Sequence, residues 1–134
     1  MDYDVQEREF APLVGKAILN FGLIEFATLQ AAEILPNEAI LETAANLQFK
    51  ARIELLIEIL NGRRKKGEAV ARLIRLLKRA LVLAKTRNII AHNPLLIEVS
   101  YDKGTCNHVP KICRYLNREK KVTKQDLIVF CRDT

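Results

Sequence analysis

One short segment of the chain carries side chains suited to acid–base chemistry on a phosphodiester: RNIIAHNP, Arg87 to Pro94. Arg87 offers a planar fork of donors that matches phosphate oxygens, and His92 exchanges a proton near neutral pH. On a helix, with Arg87 set at 0°, Ala91 falls near 40°, Asn88 near 100° and His92 near 140°, at about 100° per residue. Three polar groups therefore share a face around a small residue that leaves the floor open. Such a patch makes a phosphate cradle, with Arg87 on the phosphate oxygens and His92 exchanging a proton beside it. The spacing by itself is weak, since some Arg stands five residues before some His by chance in about one such chain in six. A structural reading competes with the chemical one: Arg87 pairs with Glu25, His92 binds carbonyls at the helix end, and Asn93 prepares the turn at Pro94.

The element that must position this segment is a long helix predicted from about Glu68 to His92, because Pro94 disfavours helical geometry at Asn93. In the Arg87 frame Leu73, Leu76, Leu77, Ala80, Leu81, Leu83 and Ala84 lie between about −40° and 120°, so the apolar stripe runs on into the Arg/Asn/His patch. The expectation is an inward face that turns polar at its end. Arg72, Arg75, Lys78 and Arg79 lie between about 180° and 300°, on the solvent side, and Lys85 near 160° serves either face.

Charge is concentrated on the same helix. Residues 1–60 hold 4 basic and 10 acidic groups, a net of −6, whereas 63–87 hold 10 basic and one acidic, a net of +9. The remainder contributes +3 of the chain's overall +6. A basic pole of this kind attracts polyanions, because each phosphate contact releases condensed counterions. In isolation, a solvated helix face beside a polar RRKK loop is the favoured explanation, at roughly two to one.

Two other long helices are expected. The first runs from about Pro12, suited to a first-turn position, to Leu35, where Pro36 stops it. Val14, Ile18, Phe21, Leu29 and Ala32 form one stripe with Glu25 in its middle, where a carboxylate needs a partner. Asn37 caps the second, which continues through Leu41, Leu47, Phe49, Ile53, Leu56, Ile57 and Leu60 and closes at Asn61 and Gly62. Beyond Pro94, LLIEVSY and the DKGT turn suggest a short hairpin or extended arm. Thr123 and Asp126 form a capping box for a last helix from Lys124 to about Cys131, whose shortness leaves open a natural chain extending past residue 134. The fold class expected is all-α: an antiparallel bundle of three long helices plus a short C-terminal one, with room for a hairpin around 95–115, in a single domain over 1–134.

Composition removes several classes. With 49% hydrophobic and 28% charged residues, and only 5 Gly and 4 Pro, the chain is built to fold. Strictly apolar runs are a few residues long and the start is acidic, so neither a membrane segment nor a signal peptide is expected, and a cytoplasmic location follows. Cys106, Cys113 and Cys131 lack framework spacing and read as reduced thiols. Cys106, His108 and Cys113 lack a CxxC knuckle and a fourth ligand, so no metal site is expected. No cofactor is expected, and without a Gly-rich phosphate loop an enzyme acting on a small phosphorylated metabolite is poorly supported.

RNIIAH at the end of a long amphipathic helix resembles the R-x4-H signature of the HEPN domain family, including the Asn that often follows the Arg. The resemblance extends over residues 10–94: a helix with a GLIE segment, a second containing FKARIELL, a basic loop, then the motif helix. It implies a metal-independent endoribonuclease of toxin or defence type, cleaving RNA by 2′-hydroxyl attack at a site composed from both members of a homodimer and leaving a 2′,3′-cyclic phosphate. It further implies Arg87 and His92 as catalytic groups, with Asn88, Glu25 and Asn93 in support, and Arg63, Arg64, Lys65, Lys66, Arg79 and Lys85 against RNA. An antitoxin or immunity protein is the partner such enzymes have. Where HEPN toxins controlled by a nucleotidyltransferase commonly place a Tyr two positions after the motif His, this chain has Pro94. The mannitol operon repressor family has a similar RN-x-x-AH string, which keeps a second reading in view: a non-catalytic interaction module or transcriptional regulator using the basic helix. No helix-turn-helix pattern accompanies it.

Overall fold

The computed structural model describes residues 3–35, 38–63, 67–114, 117 and 119–134. Along these run α1 (Tyr3–Glu33), α2 (Glu38–Asn46), α3 (Phe49–Asn61), α4 (Glu68–His92), β1 (Leu95–Asp102), β2 (Thr105–Cys113), β3 (Lys121–Thr123) and α5 (Lys124–Asp133). The chain is therefore not all-α: the three strands form one antiparallel sheet in the order β1-β2-β3. The residues divide into two compact units, one built from the chain up to Phe21 together with Lys85–Thr134, the other from Gly22–Ala84.

In the first unit, α1 begins at Tyr3, well before the expected start, and Pro12 lies inside it. Proline removes one helical hydrogen bond and crowds the preceding turn. Pro12 and Arg8, whose carbonyl loses its donor, both lie on the exposed side, where water satisfies that oxygen. Phe10, Ala17 and Phe21 are buried at helical spacing on the other side and hold the helix together across the proline. By length and composition Glu7–Glu33 is long and apolar enough to cross a membrane, a property that core helices share.

The sheet of this unit grows from a tight hairpin. β1 and β2 pair without interruption from Leu95↔Ile112 to Asp102↔Thr105, joined by Lys103 (φ 46°) and Gly104 (φ 82°). Left-handed backbone at both loop positions is what a two-residue loop needs to match strand twist, and glycine takes it at no steric cost. β3 adds three pairs at the base of β2, Lys111↔Thr123 to Cys113↔Lys121. Lys111, almost buried, forms an ion pair of 2.6 Å with Glu98 on β1. The expected capping box is present: Thr123 Oγ1 accepts from the Asp126 amide and Asp126 accepts from the Thr123 amide, opening α5. Leu127 and Phe130 of α5 are buried, and Asn20 Nδ2 donates to the Cys131 carbonyl and to Thr134 Oγ1 at the end of that helix.

In the second unit, the single helix expected from Asn37 to Leu60 is two helices, broken at Leu47 and Gln48; Asn37 itself lies outside the described residues. Gln48 is extended (φ −62°, ψ 153°) at the start of α3. The break exposes carbonyls at the end of α2, and one side chain takes them up. Arg52 donates from Nε to the Ala44 carbonyl at 2.8 Å and from a terminal nitrogen to the Leu47 carbonyl at 3.0 Å, and reaches Thr28 Oγ1 at 3.2 Å. Around this polar hub Ala32, Leu35, Ala44, Ile53, Leu56, Leu60, Leu77 and Ala80 form the apolar core.

Candidate functional site

α4 runs from Glu68 to His92, the span its stripe and Pro94 predict. The burial along it does not follow a single line to the end. Leu77 and Ala80 are buried as expected, but Leu76, assigned to the same stripe, is 54% exposed. Over the last turn the buried residue is Ile90, which lies near 300° in the Arg87 frame. Asn88, Ala91 and His92, between about 40° and 140°, are exposed. The expected inward polar face is thus corrected: only Arg87 of the three polar residues is half-buried, and the other two face outward. The cause is a change of packing partner, because Lys85–His92 belongs to the first unit while the preceding turns of α4 belong to the second.

Arg87 is seated by an aromatic ring. Its guanidinium carbon lies 4.8 Å from the centroid of the Phe21 ring, close enough for the ring's negative face to attract the cation. Phe21 in turn stacks with Phe130 of α5 at 6.4 Å and 25°, so the ring that receives Arg87 is itself fixed in the unit's core. Asn93 donates from Nδ2 to the Ile89 carbonyl at 2.9 Å, satisfying one of the carbonyls that a helix leaves open at its C-terminus. This is a positioning role for Asn93, which ends α4 just past the exposed His92.

Glu25 is half-buried on α1 in the second unit, whereas Arg87 and His92 belong to the first. Arg63, Arg79 and Lys85 are exposed, while Arg64, Lys65 and Lys66 lie outside the described residues. Arg72, Arg75 and Lys78 are exposed on α4, as predicted, and Arg75 reaches Glu68 at 2.8 Å. A shallow cavity of about 210 Å³ beside the helix end is lined by Phe10, Val14, Ile90, Ile112 and, at its polar edge, Glu7 and Asn93.

The cysteines are free thiols. Cys106 and His108, alternate residues on one side of β2, approach to 3.2 Å through Sγ and Nε2. Cys113 is buried in the sheet. Burial pushes the Cys131 thiol up from its ordinary value, and the Lys16 charge opposes that shift. Among the described residues, no three His, Cys, Asp or Glu side chains converge.

Two contacts lie outside what the sequence assigns to the site. Phe21 reads there as core, although an aromatic on a buried helix face is a ready receiver for a nearby Arg. Arg52, inside the apolar string FKARIELL, carries its own signal, since a cation in such a run must find acceptors. No family model, curated protein or solved structure matches the chain.

Proposed function

We propose that the chain is a metal-independent endoribonuclease of the HEPN type, working as a homodimer in which the ends of two α4 helices supply one composite site. The observation that carries this reading is the last turn of α4: Asn88, Ala91 and His92 are presented to solvent beside an Arg87 held over Phe21. A general acid or base must reach its substrate, and an exposed imidazole at a helix end does so. A guanidinium fixed on a rigid ring loses little freedom when it meets a phosphate. The exposed cations of α4 supply the field that gathers RNA.

In the reaction one His92 removes the 2′-hydroxyl proton, that oxygen attacks the adjacent phosphorus, and the P–O5′ bond breaks. The second His92 gives its proton to the leaving 5′-oxygen, so a 2′,3′-cyclic phosphate and a free 5′-hydroxyl result. Arg87 stabilises the phosphorane and Asn88 orients the bound phosphate. A toxin or defence role, held in check by a separate protein, is the biological setting that goes with this chemistry. The all-helical architecture is no part of the proposal, since the sheet begins at Leu95, just where the HEPN resemblance ends.

Incubation of purified protein with single-stranded RNA in EDTA tests the reading. Cleavage by the wild type and a loss of about 10²-fold or more in His92→Ala are expected; equal activity of the two rejects it. One observation favours a second reading, a non-catalytic interaction module: the Phe21 seat satisfies Arg87 within its own fold. That reading expects His92→Ala to keep nucleic-acid or protein binding and the triple change Arg72→Ala, Arg75→Ala, Arg79→Ala to abolish it.

A further inference from the structure

The sheet of the first unit has one long edge with which, among the described residues, no strand pairs. β1 is the outer strand, eight residues long, and among the described residues no other strand pairs with its free side. The part beyond Ile97 is exposed, including Val99 at 47% and Tyr101 at 80%. An open edge is a row of unpaired amides and carbonyls, and proteins that stay monomeric blunt such edges with proline, charged side chains, a bulge or a short strand. β1 has no Pro, no bulge and eight residues; its only charges, Glu98 and Asp102, lie on the opposite side of the strand from Ile97, Val99 and Tyr101. The opposite edge is treated differently, since β3 covers the base of β2 and Pro110 interrupts what remains open.

We propose that β1 seats a second copy of this chain, pairing edge to edge and antiparallel about a two-fold axis at Val99, so that two three-stranded sheets become one of six strands. The charges of the strand exclude the neighbouring registers, and the length of strand engaged selects this one from the rest. In a two-fold pair directly opposed residues share a side of the sheet, so the axis passes through a residue position. An axis at Glu98 sets two Glu98 side chains opposite each other, and an axis at Ser100 sets Glu98 opposite Asp102; like charges so placed are destabilising. An axis at Val99 opposes Val99 to Val99, Ile97 to Tyr101, Glu98 to Ser100 and Leu96 to Asp102, so Leu96–Asp102 is engaged, more of the strand than an axis at Ile97 or Tyr101 allows. One side of the ribbon is then apolar, and no acid meets an acid.

This contact is distinct from the one a composite ribonuclease site requires. Leu95 is four residues from Val99, so each strand start lies about 13 Å from the axis at roughly 3.3 Å per residue, on opposite sides. The two His92 residues are carried apart, and the edge pairing stands or falls without reference to RNA cleavage.

Charge exchange at the axis tests the proposal. Sedimentation velocity of the full chain over low to high micromolar concentration should show a monomer–dimer equilibrium. Val99→Lys and Val99→Glu, each an exposed change that leaves the hairpin intact by circular dichroism, should each weaken dimerisation at least tenfold. An equimolar mixture of the two should restore it. In a Cys106→Ser background, Val99→Cys should give a disulfide-linked dimer with oxidised glutathione, because opposed Cα atoms in such a pair are about 4.5–5.5 Å apart, within disulfide reach. Thr105→Cys, exposed on β2 and far from the axis, should not. A wild type that remains monomeric, dimerisation that both charged variants leave unchanged, or equal cross-linking at positions 99 and 105 overturns the proposal.

Discussion

Arg52 in the second unit and Arg87 in the first are both half-buried, and their surroundings differ. Arg52 spends its donors on its own fold, bridging the Ala44 and Leu47 carbonyls and the Thr28 hydroxyl where α2 breaks into α3. Arg87 lies with its guanidinium over the Phe21 ring, and the residues that follow it on the same face, Asn88, Ala91 and His92, are open to solvent. The difference separates an arginine that completes a helix junction from one that is set in place beside an accessible polar surface. It also explains why an Arg in an apolar helix is ambiguous until its acceptors are known.

The largest effect expected from this comparison is on stability, at Arg52. Arg52→Ala leaves the Leu47 carbonyl without the Arg52 donor and the Ala44 carbonyl with only the Leu47 amide, and at about 1–3 kcal/mol for an unsatisfied group the loss should be about 2–3 kcal/mol. Urea unfolding followed by circular dichroism measures it, and a loss under about 1 kcal/mol would remove Arg52 from its bridging role. Arg87→Met, which keeps an apolar stem over the Phe21 ring but loses the cation, should abolish most cleavage while the variant remains folded by circular dichroism.

A smaller effect, and a sharper one, comes from the ring itself. Phe21→Leu keeps most of the apolar volume but deletes the face that seats Arg87 and stacks on Phe130. A stability loss of about 1.5 kcal/mol is expected from such a core swap. Cleavage should fall further than that loss explains, measured at a temperature where the variant is fully folded; unchanged cleavage would show that the ring does not position the guanidinium.

Thr123→Ala should cost about 1 kcal/mol by removing the capping box of α5. Thermal unfolding reads this directly, and the loss should spare the second unit's Arg52 hub. The smallest effect is chemical. With its thiol raised by burial, Cys131 should react with iodoacetamide more slowly than exposed Cys106. A thiol that holds its proton more firmly folded than unfolded favours the folded state below its ordinary value of 9.0, and this contribution is lost as pH rises through the raised value. The unfolding midpoint should therefore fall on the alkaline side, and Cys131→Ser should flatten that fall.

How legible these regions were in the sequence follows from what each signal depends on. α4 could be bounded at both ends because its apolar period is sustained and Pro94 is local punctuation. The capping box at Thr123 was legible for the same reason, since it needs only four residues. Pro12 misled, because burial of Phe10, Ala17 and Phe21 carries α1 through it, a tertiary effect that overrides local preference. The break at Leu47 and Gln48 carries no glycine or proline to announce it, and three-residue β3 is too short to show a period. The candidate site was legible as residue types and shared azimuth, but not as burial. Which side of the last turn packs inward depends on the first unit, where Ile90 rather than His92 meets the core.

The edge of β1 and the end of α4 make separate demands on assembly. A chain that uses both contacts must build beyond a dimer, since one two-fold axis cannot serve both. A Val99→Lys protein that still cleaves RNA would show that the two contacts act independently.

The central claim is that the exposed end of α4 is a ribonuclease site, and end-group analysis of RNA incubated with the purified chain in excess EDTA tests it most directly. The account predicts 2′,3′-cyclic phosphate termini from the wild type and a reduction of about 10²-fold or more with His92→Ala at unchanged thermal stability. RNA left intact by the wild type, or cut equally by His92→Ala, would contradict it.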